Sequence, residues 1–340
     1  MPANLSPEYK DAQEAYRKER DPKERLECLR EMLRTIPKHK GTEHLQADIR
    51  TRIKELTEDL AGPKKGGARS APSVAVRPEG AAQVALIGPP NAGKSSLHAR
   101  LTGSHAAVGP YPFTTKLPLP GMLPYEDIHF QLVDLPPVST DFMEPWLVNA
   151  LQSADAALLI LDLGEADCVD QVAAIRRQLA EKHARLLEPG EPTGSAADGA
   201  ESLDTLFQIR LPTALLANKS DRLADPSAEI EVFRQLTGVR YPALAVSAET
   251  GFGLGAIGSL LFDMLGIVRV YSKVPGHPPD RSRPFTLRRD GTVRDVARLV
   301  HRGLAADLKF ARLWGSGRFD GEQVSADHPV RDKDIVELHG

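Results

Sequence analysis

Four apolar runs mark the middle of the chain. They are Val84–Ile87, Ala157–Leu161, Ala214–Ala217 and Ala243–Val246. Each run is continuous rather than alternating, which is the pattern of strands that are buried on both faces. The runs therefore predict an α/β domain over residues 81–267, with a mostly parallel sheet that is covered by helices on both faces.

Near the N-terminus, apolar residues recur at helical spacing in two stretches, of which the first ends at Pro37. This pattern predicts an antiparallel helical hairpin within residues 1–60. The apolar positions are Leu26, Leu29, Met32, Leu33, Ile36, Leu45, Ile49, Ile53, Leu56 and Leu60. Residues 61–80 contain Gly62-Pro63-Lys64-Lys65-Gly66-Gly67, whose composition predicts a flexible basic linker.

The C-terminal segment, residues 268–340, has the pattern of strand, strand, amphipathic helix and two further strands. This order predicts a small β-grasp domain. Trp314 lies in the third strand of the pattern. Because aromatic side chains dominate small cores, we expect Trp314 to anchor the core of this domain rather than to stack on a nucleic-acid base.

Composition is that of an ordinary globular protein, with 41% hydrophobic and 26% charged residues in a chain of 340. No segment is long and apolar enough to span a bilayer, and the polar start at residues 1–6 is not a signal peptide. Cys28 and Cys168 are the two cysteines, too few for a disulfide framework or a zinc site. We therefore expect a cytoplasmic protein that does not engage a membrane.

A phosphate-binding loop follows the first apolar run directly. Its GxxxxGK[ST] pattern is Gly88-Pro89-Pro90-Asn91-Ala92-Gly93-Lys94-Ser95, and Ser96 continues the binding segment. Glycines allow successive backbone N–H groups to face the phosphates, and the following helix adds the positive end of its dipole. We expect Lys94 to reach the β and γ phosphates and Ser95 to ligate Mg²⁺.

Two further loops follow later apolar runs and resemble the guanine-specificity loops of the Ras-like GTPase superfamily. The first, Asn218-Lys219-Ser220-Asp221, matches NKxD. The resemblance implies that the Asp221 carboxylate binds the guanine N–H and amine groups, which adenine cannot offer, and this disfavours an ATP-using relative. The second, Ser247-Ala248-Glu249, resembles the SAx loop, in which a backbone N–H meets the guanine carbonyl. GTP and GDP are the expected ligands.

Between these anchors lie segments that resemble the two switches. Tyr111-Pro112-Phe113-Thr114-Thr115 resembles switch I of the Obg family, which implies that Thr115, or failing it Thr114, meets Mg²⁺ and the γ-phosphate. The strand that ends at Asp134 resembles the start of switch II. By this resemblance Asp134 holds Mg²⁺ through water, so that Lys94, Thr115 and Asp134 are the expected catalytic residues.

Switch II departs from the DxxG pattern because Pro137 occupies the glycine position. Proline has no N–H to donate to the γ-phosphate. Val138 follows, where Ras-like enzymes carry the glutamine that orients the attacking water. We expect slow hydrolysis of GTP. The alternative is a scaffold that is stabilised by guanine nucleotide, binds RNA and does not switch.

Asn91 raises a separate question, because potassium-activated GTPases with a GxPNxGKS loop use this asparagine to hold a monovalent cation. One hypothesis is that K⁺ stimulates turnover. The other is that Asn91 only satisfies backbone groups of its loop, as asparagine commonly does in turns.

The order of helical region, GTPase domain and β-grasp domain resembles the developmentally regulated GTP-binding proteins of the Obg family, which end in a TGS domain. The resemblance implies contact with the ribosome or RNA through the TGS domain and the N-terminal helices, and a small activating protein is a further partner to seek. The basic candidates are Arg281, Arg283, Arg288, Arg289, Arg294, Arg298 and Arg302. Local ion pairs with neighbouring aspartates are the alternative role for these arginines.

Overall fold

The structure, a computed structural model, describes residues 6–19, 22–37, 42–61, 76–104, 117–139, 142–192 and 208–340. Three modules follow one another along the chain: a group of helices, an α/β domain built on a seven-stranded sheet, and a smaller domain built on a five-stranded sheet. The sequence predicted this fold class. Most of the linker predicted at 61–80 lies outside the described residues.

The N-terminal module contains helices α1 (Pro7–Lys18), α2 (Pro22–Thr35) and α3 (Glu43–Ala61). Helices α2 and α3 correspond to the predicted hairpin, and α1 is an addition that the sequence did not reveal. Ser6 fixes its start, because its hydroxyl accepts a hydrogen bond from the Tyr9 N–H at 3.1 Å. The shared core contains Tyr9, Ala12, Leu29, Met32, Ile36, Leu45 and Ile49.

The central sheet has the strand order β2-β3-β1-β4-β6-β5, with β7 paired to another part of β6. Its strands are β1 (Ala82–Ile87), β2 (Leu119–Tyr125), β3 (Ile128–Asp134), β4 (Ala156–Asp162), β5 (Ala184–Leu187), β6 (Ile209–Asn218) and β7 (Ala243–Ala245). All pairings are parallel except that of β2 with β3. The antiparallel hairpin β2–β3 thus forms one edge of the sheet.

Helices cover the central sheet on both faces, as the continuous apolar runs predict. They are α4 (Lys94–Thr102), α5 (Leu147–Leu151), α6 (Cys168–Glu181), α7 (Pro226–Thr237) and α8 (Ile257–Leu265). Two separate hydrophobic cores result. One contains Leu159 of β4 and Ile175 of α6, and the other contains Leu158 of β4 and Leu97 of α4. Neighbouring residues of one strand therefore face opposite cores.

The C-terminal domain has the strand order β11-β10-β12-β8-β9. Its elements are β8 (Ile267–Ser272), β9 (Asp280–Arg288), α9 (Val293–Val300), α10 (Arg302–Asp307), β10 (Phe310–Trp314), β11 (Glu322–Val324) and β12 (Asp334–His339). Val293 and Val296 of α9 pack with Val270 and Leu313 in its core. Trp314 lies outside this core, half-buried beside the Lys273 ammonium, so its expected role as a core anchor was wrong.

A buried arginine joins the C-terminal domain to the β2–β3 turn. The side chain of Arg269 is 4% exposed and forms ion pairs with Glu126 and Asp127 of that turn and with Asp332. Its guanidinium lies 4.9 Å from the centre of the Phe262 ring. These hydrogen-bonded carboxylates raise the pKa of Arg269 further above its ordinary value despite burial. The contact fixes one end of the β2–β3 hairpin to the C-terminal domain.

A second contact between these two domains involves Arg288, which donates to Asp155 at 2.9 Å and to the Leu265 carbonyl at 3.1 Å. The other carboxylate oxygen of Asp155 accepts from the backbone N–H of Gln83 in β1 at 2.8 Å. On the helical side, Arg25 of α2 donates to the Gln152 carbonyl at 3.2 Å. Polar contacts therefore join both flanking modules to the central domain.

Candidate functional site

The phosphate-binding loop joins β1 to α4 at the carboxyl edge of the sheet, where α/β proteins bind their ligands. A Cβ atom on Gly88 would lie 2.3 Å from the Ile160 carbonyl oxygen, so a larger residue has no space there. Gly93 has a left-handed φ of 87°, and a Cβ on it would lie 2.3 Å from Asn218 Nδ2. Close packing thus requires glycine at both positions, and at Gly93 the left-handed backbone requires it as well.

The Lys94 side chain folds back over the phosphate-binding loop. Its ammonium donates to the Gly88 carbonyl at 3.0 Å and to the Pro89 carbonyl at 2.9 Å. Burial lowers the pKa of Lys94 to about 8, although the Asp134 carboxylate acts in the opposite direction. A polyphosphate supplies the negative charge that this buried ammonium lacks, so the geometry favours an anionic ligand.

Ser95 and Asp134 lie together next to the lysine. The Ser95 hydroxyl donates to a carboxylate oxygen of Asp134 at 2.5 Å, and Asp134 is 1% exposed at the end of β3. Hydroxyl and carboxylate oxygens are the ligands that Mg²⁺ prefers, and the ion usually keeps waters and phosphate oxygens as its other ligands. These residues therefore fit a nucleotide-bound Mg²⁺. Thr115 and its alternative Thr114 lie outside the described residues.

Asn218 connects the phosphate-binding loop to the second guanine loop. Its side chain is 1% exposed. Its Nδ2 donates to the Ala92 carbonyl at 2.8 Å, and its Oδ1 accepts from the Ala248 N–H at 3.1 Å. One backbone N–H of the SAx loop is therefore bonded to the Asn218 side chain. One buried amide holds two binding loops in place.

The remaining residues of the guanine loops differ in exposure and in their contacts. Asp221 is exposed at the loop surface, and Lys219 forms an ion pair of 2.8 Å with Asp162 at the end of β4. Ser247 is buried, and its hydroxyl accepts from the Thr250 N–H, while Glu249 is exposed. Sequence reasoning missed Asp162, whose position becomes apparent only when β4 and β6 are paired.

Three residues of the phosphate-binding segment make no contact that fixes their role. Pro90 and Ser96 are half-buried, and Asn91 is exposed at the tip of the loop with a φ of 61°. Within the described part of the chain, no hydrogen bond involves the Asn91 side chain. That observation bears on the potassium question below.

Switch II begins with a backbone contact that the sequence did not predict. The Val138 N–H donates to the Gly88 carbonyl at 3.1 Å, and Pro136, Pro137 and Val138 are all buried. Pro137 has no N–H. The next N–H along the chain, that of Val138, is used within the protein. Val138 itself is 1% exposed and belongs to a hydrophobic core, so it places no polar group near the phosphates.

Further along, Ser139 anchors the turn after Val138. Its backbone N–H donates to the Phe142 carbonyl at 2.9 Å, and its own carbonyl accepts from Gln178 of α6 at 2.6 Å. The described part of switch II is therefore attached to the phosphate-binding loop at one point and to α6 at another.

Comparison with known families agrees with this geometry. A family model described as 50S ribosome-binding GTPase matches residues 83–189, and a TGS domain model matches residues 268–339. The chain has an α/β P-loop GTPase fold with a C-terminal TGS domain. It is similar to developmentally regulated GTP-binding proteins of the Obg-like superfamily.

Relatives resemble this chain along most of their length. Developmentally-regulated G-protein 2 of Arabidopsis thaliana is 27% identical over 91% of this chain and 88% of its own. GTP-binding protein 1 of Schizosaccharomyces pombe is 25% identical over 93% of this chain and 98% of its own. An uncharacterised GTP-binding protein of Methanocaldococcus jannaschii is 25% identical over 93% of this chain and 92% of its own.

Solved structures support the fold. A GTP-binding protein from Pyrococcus horikoshii OT3 gives a TM-score of 0.50 at 16% identity, covering 76% of this chain and 99% of its own. The YchF GTPase of Schizosaccharomyces pombe gives a TM-score of 0.50 at 14% identity, covering 77% of this chain and 99% of its own. Among the helices of the described residues, none has the length and apolar character needed to cross a membrane.

Proposed function

We propose that this protein binds GTP and GDP with Mg²⁺ and hydrolyses GTP slowly. In this proposal it works in the cytoplasm and contacts the ribosome or another RNA through its TGS domain and N-terminal helices. Membership in a GTPase family supports hydrolysis in general. The observation that favours slow hydrolysis is the start of switch II, where Pro137 has no N–H and Val138 is buried in the core.

Each catalytic residue has a separate task in this proposal. Lys94 neutralises the β and γ phosphates from a position that its hydrogen bonds to two loop carbonyls fix, which lowers the cost of reorganisation. Ser95 and Asp134 would hold Mg²⁺, which supplies positive charge to the phosphate oxygens when bound. Thr115 would complete the site from switch I. Pro137 and Val138 carry no polar side-chain group that could orient the attacking water.

Guanine selectivity is assigned to the NKxD and SAx loops. Asp221 is exposed, so its carboxylate is available to the base, whereas Asn218 is buried and positions the loops. Preferential binding of ATP over GTP in direct competition would contradict this assignment.

A second candidate function is a scaffold that holds guanine nucleotide without switching. The hydrogen bond from the Val138 N–H to the Gly88 carbonyl favours it, because this N–H is used within the protein and Pro137 has none to offer. In that case GDP and GTP would bind equally, and nucleotide binding would serve stability rather than signalling.

Equilibrium binding of GDP and of a non-hydrolysable GTP analogue, at fixed Mg²⁺ and K⁺, separates the two candidates. A clear preference for the analogue, or protection of a switch from protease only in its presence, supports a working switch. Equal affinities without a conformational response support the scaffold. Lys94→Ala is the negative control, because removal of the buried ammonium should abolish binding under either candidate.

We further propose that K⁺ stimulates turnover through Asn91. The exposed position of this residue at the loop tip supports the idea, because its side chain is not occupied by the loop backbone in the described structure. Turnover measured in matched K⁺ and Na⁺ buffers, for the intact protein and for Asn91→Ala, provides the test. Equal rates in the two salts would contradict the proposal.

The proposal of a ribosome or RNA partner rests on the two matching families, one of which is described as 50S ribosome-binding. A small activating protein would compensate for the missing water-orienting residue, so it belongs to the same proposal. Co-sedimentation with ribosomes across a salt series tests the RNA contact. Association that depends on phosphates must weaken steeply as salt increases.

A further inference from the structure

The TGS sheet has one face on its core and another that carries aromatic and cationic side chains. On β10, Ala311 and Leu313 face the core. The alternate residues Phe310, Arg312 and Trp314 therefore lie on the opposite face, which we call the outer face. Arg312 is exposed, and the two aromatic residues are half-buried.

Strand register extends this pattern from β10 to β12, and Lys273, which follows β8, adds to it. Phe310 pairs with His339 of β12, and their rings stack with centres 4.6 Å apart and an angle of 10° between the planes. At the other end of β10, the Lys273 ammonium lies 4.7 Å from the centre of the Trp314 ring. Arg312 lies between the two aromatic residues, opposite Glu337. The outer face thus has an aromatic group at each end of one strand and cations beside and between them.

Charge on the part of the outer face that β10 and β12 form is complementary to a polyanion. Glu337 is the acidic residue on these strands at this face, and it is buried between Lys273, with which it forms an ion pair, and His339, whose Nε2 lies 2.8 Å from its carboxylate. Arg312, which lies between the two aromatic residues of β10, is exposed.

By contrast, three of the seven basic candidates for RNA contact are engaged in ion pairs. Arg288 pairs with Asp155 in the interface with the GTPase domain. Arg294 pairs with Asp327 and Arg298 with Asp295, each at 3.1 Å. Local ion pairs, the alternative that the sequence allowed, account for these three residues.

We propose that the outer face of the TGS sheet is a binding surface for single-stranded RNA, with bases stacking on Phe310 and Trp314 and phosphates meeting Arg312 and Lys273. This inference rests on the proposed RNA-binding function and specifies the surface and the form of the RNA. Phe310 and Trp314 are four residues apart, which places them roughly 13 Å apart along the strand. Stacking on aromatic side chains requires unpaired bases, because bases within a duplex already stack on one another.

Binding of a fluorescein-labelled oligouridylate of about 12 nucleotides, a length that one small domain can contact, tests the proposal on the full chain. An RNA duplex of equal charge is the matched ligand. The variants are Phe310→Leu, Trp314→Leu and Arg312→Gln, and Arg281→Gln with Arg283→Gln is the control pair of exposed arginines on β9. Thermal unfolding confirms that each variant is folded.

We expect each aromatic variant to weaken oligouridylate binding about tenfold while duplex binding changes little. Arg312→Gln should weaken the binding of both RNA ligands and reduce the salt dependence of that binding. If the intact protein binds neither RNA, the proposed RNA function fails. If it binds RNA but the aromatic variants bind normally while the control pair binds weakly, only the assignment to the outer face is overturned.

Tryptophan fluorescence gives a readout that a purely structural role would not change. The chain has two tryptophans, so Trp146→Phe leaves Trp314 as the single reporter. Oligouridylate should quench its emission on binding if a base stacks on the ring. Saturable binding without any change in Trp314 emission would contradict base stacking at this position.

Discussion

At the scale of single residues, His98 shows how the interior of the GTPase domain makes stability depend on pH. It is fully buried on α4, its Nδ1 lies 3.2 Å from the Ser104 hydroxyl, and its Nε2 has no hydrogen-bond partner within the described structure. Burial lowers the pKa of His98 below its usual value, with Asp134 acting in the opposite direction. The neutral imidazole is therefore the form that the folded state accepts.

The sign of the pH effect follows from this shift. Below the unfolded pKa of about 6.5, the unfolded chain binds a proton that folded His98 resists, so the free energy of unfolding falls as pH decreases. Between pH 6.5 and 5.5 we expect a loss of about 1 kcal/mol. Urea unfolding of the intact protein and of His98→Gln measures it, with exposed His129→Gln as the control. A slope that His98→Gln leaves unchanged would contradict the prediction.

Asn218 provides the second prediction at this scale. Asn218→Ala leaves the buried Ala92 carbonyl and the Ala248 N–H without the amide that satisfies both. Each loss costs about 1–3 kcal/mol, so we expect a lower melting temperature and weaker GDP binding together. Exposed Asn149→Ala on α5 is the control and should change neither property. Normal GDP affinity in Asn218→Ala would show that the loops hold their positions without this residue.

At the scale of elements, the sequence predicted the features that follow from local residue patterns. It missed the features that depend on contacts between distant residues. Continuous apolar runs gave β1, β4, β6 and β7, and loop motifs gave the binding segments. Helix α1 was missed because few apolar positions mark it, and Tyr9 is its one large side chain that is fully buried. Trp314 was misplaced because the face of the sheet on which a residue lies is known only once the strand register is known.

The start of switch II is the element whose behaviour the sequence could not decide. Proline at position 137 predicted a missing N–H, but only the structure shows that the following N–H is bonded to the Gly88 carbonyl. Residues that lie 50 positions apart in the chain meet there because β1 and β3 are neighbours in the sheet. A contact of this kind leaves no local signal in the sequence.

Pro137→Gly tests this element directly. Glycine restores an N–H and the freedom to turn, so we expect affinity for a non-hydrolysable GTP analogue to rise about tenfold or more relative to GDP. Pro136→Gly is the matched control, because it loosens the neighbouring buried position without supplying the N–H at 137. An equal ratio of affinities in all three proteins would mean that other groups read the γ-phosphate.

At the scale of the whole molecule, charged residues join the TGS domain to the GTPase domain. Arg269 pairs with three carboxylates, and the Tyr271 hydroxyl donates to Asp127 at 2.5 Å. The contact is made at the β2–β3 turn, while Asp134 lies at the far end of β3. One strand therefore runs from the TGS interface to the residue expected to hold Mg²⁺.

Arg269→Ala should release the TGS domain from this turn. The change removes the cation that compensates Glu126, Asp127 and Asp332, and we expect a loss of about 2 kcal/mol because these carboxylates retain partial contact with water. Small-angle scattering should show a larger radius of gyration, and retained GDP binding would show that the GTPase domain is intact. Arg294→Ala, which breaks an exposed pair within the TGS domain, should leave the radius unchanged. Equal scattering from the two variants would mean that the remaining contacts, Arg288 with Asp155 and Tyr271 with Asp127, suffice to hold the domains together.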